Sequence, residues 1–412
     1  MSPVLPFDII ELLIIDSEVV GKNEDTNFLK ELALVSHSFH QICSKHLFAT
    51  IELHDAVPED HVASSKKGFV KLLNSRPDVV KYIRKLTYKM SDYYSPIDND
   101  DELLSPILPN LLRTIPSLNH LITTPSKKWR DWNKWNASLT SAFLHLMHLP
   151  TVSHIDLSFI PNFPLSSFTP SVNLLRLNIL RVEPSDPIRE DGSLLFVQSG
   201  MMPKLREFHI KISDHMAKQH LLAKGQDGRP AFNFMNLRGL TMDFQGDDRH
   251  IRYVLQNAKL LEKLHLHLGA DRSLVELHET LSPSVRRGTL KNLDLTVSLN
   301  NLVFLGGISE ELEALAGHNM LEALSFRIYL DGYEAEDLIG FIIQKVEGVL
   351  VKPGWSALRE VSFILEVCSI MVTVVSEDWA KLSESLLSLQ DKYLSHLSKL
   401  DSVAFSYPVV IN

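Results

Sequence analysis

The sequence is poor in the features that announce a secreted protein, a membrane protein or a familiar enzyme. Its 412 residues include two cysteines, Cys43 and Cys368, far apart in the chain. That spacing excludes a disulfide framework and points to a reducing compartment. No window approaches the roughly 18 uninterrupted apolar residues of a membrane span. The first apolar run, at 9–15, is broken by Glu11 and flanked by Asp8 and Asp16, unlike a secretory leader. There is no surplus of positive charge: 41 basic against 50 acidic residues give a net charge of -9. General affinity for nucleic acid or anionic membrane is therefore not expected. The reading is a cytoplasmic or nuclear protein.

Chemical motifs are equally scarce. There is no phosphate loop, no glycine-rich dinucleotide fingerprint and no Gly-x-Ser-x-Gly elbow. His278-Glu279 opens like a zinc-protease motif, but Ser282 stands where the second histidine belongs. His37, His40, Cys43 and His46 are three apart, so on a helix of 3.6 residues per turn they spiral around the axis and do not converge. No catalytic residue, metal ligand or cofactor is assigned, and the expectation is a protein that binds rather than catalyses.

What the sequence does contain is 45% hydrophobic residues, enough for an extensive core, laid out in a recurring pattern. Beyond about residue 55 the series apolar-x-x-apolar-x-apolar returns. Clear copies start at Leu205, Leu237, Leu261, Leu290, Leu321, Leu358 and Leu400, and weaker ones at Ile83, Leu118, Val152 and Leu174. The last two apolar positions alternate as a strand does. Between copies lie stretches with apolar residues three or four apart, such as 139–149, 336–350 and 379–397, which predict helices. A single copy cannot stand alone, because burying three side chains gains roughly 1.5–3 kcal/mol each while ordering each backbone residue costs about 1–2 kcal/mol. Copies must stack.

The motif resembles the strand segment of leucine-rich repeats. The resemblance implies an irregular α/β solenoid, or horseshoe, over 55–412, with inserts near 91–102 and 125–137. Copies start 22 to 42 residues apart, and none carries Asn or Cys eight positions after its first apolar residue, so no asparagine ladder is expected. A doubly wound α/β sheet is the competing fold. In the insert near 125–137, three tryptophans lie among basic residues, which fits either a partner-binding loop or a segment folded back on the array.

Period 2 in each strand assigns the residues between the apolar positions to one sheet face. The candidate target-binding face comprises His209, Lys211, Asp243, His265, His267, Asp294, Thr296 and Arg327. Asp156, Thr241, Ser325, Ser362 and Ser406 extend it. Its mixed charge suits a protein or peptide better than a lipid or a polyanion.

The first 54 residues read differently. Leu5-Pro6 precedes an apolar stretch, 21–27 has turn chemistry, and Ser36 is placed to cap a helix running toward Phe48. Three small helices of about 45 residues bury too little surface to be stable without a partner or an attached domain. Leu5-Pro6, the Ile and Leu residues of 9–14, the Leu32-Ala33-Leu34-Val35-Ser36 step, Phe39 and Leu47-Phe48 together resemble an F-box. This resemblance implies docking on a Skp-type adaptor of a cullin-RING ubiquitin ligase, with the rest of the chain recruiting a protein substrate. The implied adaptor contacts are Leu5, Pro6, Ile9, Ile10, Leu13, Leu32, Leu34, Val35, Phe39, Leu47 and Phe48. The alternatives are a ligase-independent repeat scaffold whose N-terminal helices cap the array and, third, an enzyme on an α/β fold.

Overall fold

The computed structural model describes residues 25–54, 66–89, 107–124, 131–168, 170–185, 195–196, 203–211, 221, 224–225, 232–244, 249–268, 278–279, 281, 288–298, 307–317, 320–330, 336–367, 376–399 and 403–411. The chain divides into two compact units, Met1–Leu174 and Leu175–Asn412.

In the first unit, helices α1 (Asp25–Ala33) and α2 (His37–Leu47) lead into strand β1 (Thr50–His54). Ser36 caps α2 by accepting the Phe39 amide at 3.3 Å, as its position in the sequence predicts. Helix α3 (Lys66–Ser75), β2 (Lys85–Lys89), α4 (Ile107–Leu112), β3 (His120–Thr124), α5 (Ala137–Met147) and β4 (His154–Ser158) follow. The four strands are parallel, and their order in the sheet is their order in the chain. Within the segment read as a separate helical module, residues 50–54 are thus a sheet strand. Phe48, Ile51 and Leu53 supply a copy of the apolar pattern that the F-box resemblance concealed.

The second unit contains β5 (Arg176–Leu180), β6 (Leu195–Phe196), β7 (Glu207–Lys211), β8 (Lys224–Gly225), β9 (Gly239–Phe244), α6 (Arg249–Asn257), β10 (Lys263–Leu268), β11 (Asn292–Ser298), α7 (Ile308–Leu315), β12 (Ala323–Leu330), α8 (Glu336–Leu350), β13 (Glu360–Val367), α9 (Ser376–Tyr393), β14 (Ala404–Ser406) and β15 (Val409–Ile411). Its main sheet runs β5-β7-β9-β10-β11-β12-β13-β14, again parallel and in chain order; β15 also pairs with β13. The two-residue strands β6 and β8 pair separately.

In neither unit does the order reverse, whereas a doubly wound sheet needs a reversal to place helices on both faces. Parallel strands are joined by right-handed crossovers as a rule, and with sequential order that keeps the helices on one side. Burial agrees: along β12 and β13, Leu324, Phe326, Ile328, Val361, Phe363 and Leu365 are at most 2% exposed, while the residues between them are only partly covered. This is a repeat-like α/β architecture compatible with a solenoid.

The first apolar residue of each copy turns inward just before its strand. Ile83, Leu118, Val152, Leu174, Leu205, Leu237, Leu261, Leu290, Leu321 and Leu358 are all buried; Leu400 lies outside the described residues. The following residue carries a backbone device that no side-chain pattern encodes. Its carbonyl accepts two successive amides from the next copy: Glu262 O takes Lys291 N at 2.9 Å and Asn292 N at 3.0 Å, and Lys291 O takes Glu322 N at 2.7 Å and Ala323 N at 3.0 Å. This amide clasp recurs at Ala49, Arg84 and Asn119 in the first unit, and at Leu175, Arg206, Arg238, Glu262, Lys291 and Glu322 in the second. Both amides are satisfied without the missing asparagine ladder.

The helices contribute the other wall. In α8, Ile339, Ile342, Ile343, Val346, Val349 and Leu350 are buried at helical spacing. The ring of Tyr393 in α9 lies over Gly340, where a Cβ would fall 2.4 Å from the ring. Two buried acids brace this layer. Glu311 accepts the His278 backbone amide at 2.7 Å and its Nδ1 at 2.8 Å. Glu347 accepts the His396 and Leu397 amides at 2.8 and 3.1 Å.

Candidate functional site

The polar face of the second unit's sheet is built by register. In one cross-strand row, Asn178, His209, Thr241, His265, Asp294, Ser325, Ser362 and Ser406 are successive partners. In the next row, Asp243 pairs with His267, His267 with Thr296, Thr296 with Arg327 and Arg327 with Ile364. Lys211 lies at the exposed end of β7. Parallel pairing without slippage therefore brings together all eight residues nominated from sequence, as well as the serine extension.

The face is less open than alternation alone suggests. Thr296 is 4% exposed, and His265, His267, Asp294 and Arg327 are half-buried. Strands about 4.8 Å apart bring these large side chains against one another. The rings of His265 and His267 stack at 4.3 Å with 28° between planes. His265 Nε2 lies 2.7 Å from the Thr296 hydroxyl, and Arg327 donates to Glu366 at 3.3 Å. Ser406 donates to Ser362 at 2.9 Å.

Burial governs the electrostatics. It pushes His267 down to about 4, with His265, Lys211 and Arg327 adding positive potential. It also lowers His265, against the pull of Asp294, and raises the Asp294 carboxyl. At neutral pH the rings are uncharged hydrogen-bonding groups.

The sheet of the first unit has its own polar cluster. His120 Nε2 is 2.9 Å from Asp156 Oδ2, the rings of His120 and His154 lie 5.6 Å apart, and Ser153 Oγ meets His154 Nδ1 at 2.8 Å. Sequence reasoning placed Asp156 on this face but missed its histidine partner, because His120 sits one copy away. Among the described residues, no group of three or more His, Cys, Asp or Glu is arranged to hold a metal ion. In the described part of the tryptophan-rich insert, 131–137, Trp132 and Trp135 are 6% and 8% exposed and pack on Phe143; Trp129 lies outside the described residues. A cleft of about 550 Å³ is lined by Trp132 and Trp135, by Thr140 and Leu144 of α5, and by His148 at the C-cap of that helix.

At the N-terminus, α1 and α2 enclose Leu29, Ile42 and Cys43, with Leu32 and Leu47 packed against them. Leu34 and Val35, on the turn between the helices, are 87% and 67% exposed. Phe39 and Phe48 are half-buried. Leu5, Pro6, Ile9, Ile10 and Leu13 lie outside the described residues. No described helix is long and apolar enough to cross a membrane.

No family model and no curated protein matches the chain. Among solved structures, a protein from Bacteroides fragilis is similar over 86% of this chain and 72% of its own, at 10% identity and a TM-score of 0.30. A likeness that loose carries no argument about fold or activity.

Proposed function

We propose that this chain is the substrate-recognition subunit of a cullin-RING ubiquitin ligase. Its N-terminal helices dock on a Skp-type adaptor, and the polar sheet face of the second unit holds a protein target. Ubiquitin transfer belongs to the partners, and the chain itself catalyses nothing. The observation carrying the docking half is the exposed apolar pair Leu34-Val35. Two large aliphatic side chains at a helix turn gain roughly 1.5–3 kcal/mol each when a partner covers them, and they stand inside the segment that resembles an F-box.

The test is co-expression of the full chain with a Skp-type adaptor, followed by size-exclusion chromatography. Leu34 and Val35 lie outside the cluster of Leu29, Ile42 and Cys43, so the Leu34→Asp/Val35→Asp variant leaves the helices folded. A complex formed by the parent and lost in the variant is the expected result. A folded parent that never binds the adaptor overturns the proposal.

One observation favours the scaffold reading instead. Helix α2 runs into β1, and Ala49 clasps Arg84 and Lys85 at 2.8 and 2.9 Å, as a cap continuous with the array does. In that reading the Asp variant leaves every interaction of the chain unchanged.

A further inference from the structure

The His265–His267 stack is the least ordinary feature of the polar face. Two imidazoles at 4.3 Å are stable as neutral rings, and the surroundings favour that state. The charged and titratable groups facing the pair are His209 and Lys211 from β7, Asp243 from β9, Lys263 from the same strand, Asp294 from β11 and Arg327 from β12; Glu360 and Glu366 follow on β13. Closest in register, Asp243 stands opposite His267 and Asp294 opposite His265. Lys211 and Arg327 act on His267 from opposite flanks. These two acids and two bases cancel.

We propose that the His265–His267 stack is a proton-gated seat for an anionic group, a carboxylate or a phosphate-like oxyanion on the target, closed while the rings are neutral. It rests on the reading of this face as the recognition surface and adds its control. The anion sits over the rings between Lys211 and Arg327.

Two coupled rings take up protons in separable steps. His265 faces Asp294 and takes the first; His267, flanked by two cations, takes the second. Burial shifts these groups toward one another, lowering both histidines and raising Asp294. Acidification therefore neutralises an acid while charging two bases, and the face moves from balance to a concentrated positive charge. The second proton also sets two cations against each other, which pushes the rings apart, and protonation itself gives each ring a second N–H donor for the anion.

The experiment uses the full chain alone. Ring protonation is followed by nitrogen-15 NMR of labelled histidine. Sulfate, essentially a dianion throughout the range, is the probe, titrated at about pH 3.5 and about pH 7.5 at constant ionic strength. The expected result is two linked steps below the ordinary histidine range, with sulfate bound about tenfold more tightly on the acid side. The His265→Gln/His267→Gln variant loses that pH dependence. Lys211→Gln, altering an exposed side chain, keeps two linked ring steps but moves them toward higher pH, because one depressing cation is gone, and weakens sulfate about threefold. Independent titration of both rings near 6.5, or sulfate binding indifferent to both variants, overturns the proposal. Circular dichroism at both pH values separates these outcomes from acid unfolding. None of these readouts involves adaptor or target, so failure of the ligase reading is distinguishable from failure of the seat.

Discussion

Replacing Glu347 by alanine tests the claim that a buried acid braces the helical wall of the second unit. Its carboxylate accepts the His396 amide at 2.8 Å and the Leu397 amide at 3.1 Å, and approaches His396 Nδ1 at 3.4 Å. The Leu397 position is fully buried, so its amide stays unsatisfied in the variant and costs roughly 1–3 kcal/mol. The His396 side chain is exposed, so water replaces much of its loss; removing the one Glu347 γ-methylene from a buried site adds about 1 kcal/mol. The sum is about 3 kcal/mol, or roughly 6–12 °C of Tm for a unit of this size. Glu347→Gln keeps an acceptor oxygen and is expected to lose about 1 kcal/mol. The assay is urea unfolding by circular dichroism, with native-state hydrogen exchange at Leu397 as the local probe. The bracing role is refuted if the alanine variant matches the glutamine variant, or if Leu397 exchanges at the parental rate.

Gly340→Ala drives a methyl into the Tyr393 ring and is expected to cost about 1–3 kcal/mol; a Gly340→Ala/Tyr393→Leu double variant should recover part of it in the same unfolding assay. Leu293→Ala opens a cavity at a fully buried position and should cost about 2–5 kcal/mol by denaturant midpoint. For His267, the unfolded state binds protons at its ordinary 6.5 and the folded state only near 4, so stability rises with pH between those values and is flat above. The full shift is about 3 kcal/mol, reduced to about 1–2 kcal/mol by solvent screening at a half-buried ring; unfolding of His267→Gln against the parent across that interval measures it. Lys291→Pro removes one clasp amide and should lower the midpoint sharply, whereas Lys291→Ala, which loses only the surface contact with Glu322, should leave it unchanged.

The strands were legible because each needs three inward apolar side chains, as Leu290, Leu293 and Leu295 illustrate, and period 2 then assigns His265, Asp294 and Arg327 to the opposite face. Helices over 336–350 and around 137–147 followed from apolar spacing of three and four. Three features were hidden for different reasons. The Phe48-Ile51-Leu53 copy coincides with the end of the F-box resemblance and was absorbed by it. The acids Glu311 and Glu347 look like solvated helix residues, because their amide partners lie 33 to 50 residues away in the chain. The stacking of His265 on His267 depends on side-chain rotation, and alternation specifies only the face.

The clasps determine what this architecture tolerates. Each joins one carbonyl to two amides and is therefore indifferent to side-chain identity; substitutions other than proline leave its chemistry intact. Connections between neighbouring strands vary, from 18 residues (245–262) between β9 and β10 to 36 (368–403) between β13 and β14, yet the strands pair in continuous register on either side of them. The array can thus accept insertions and deletions between strands as a bound book accepts leaves of unequal width, aligned at the spine and free at the margin.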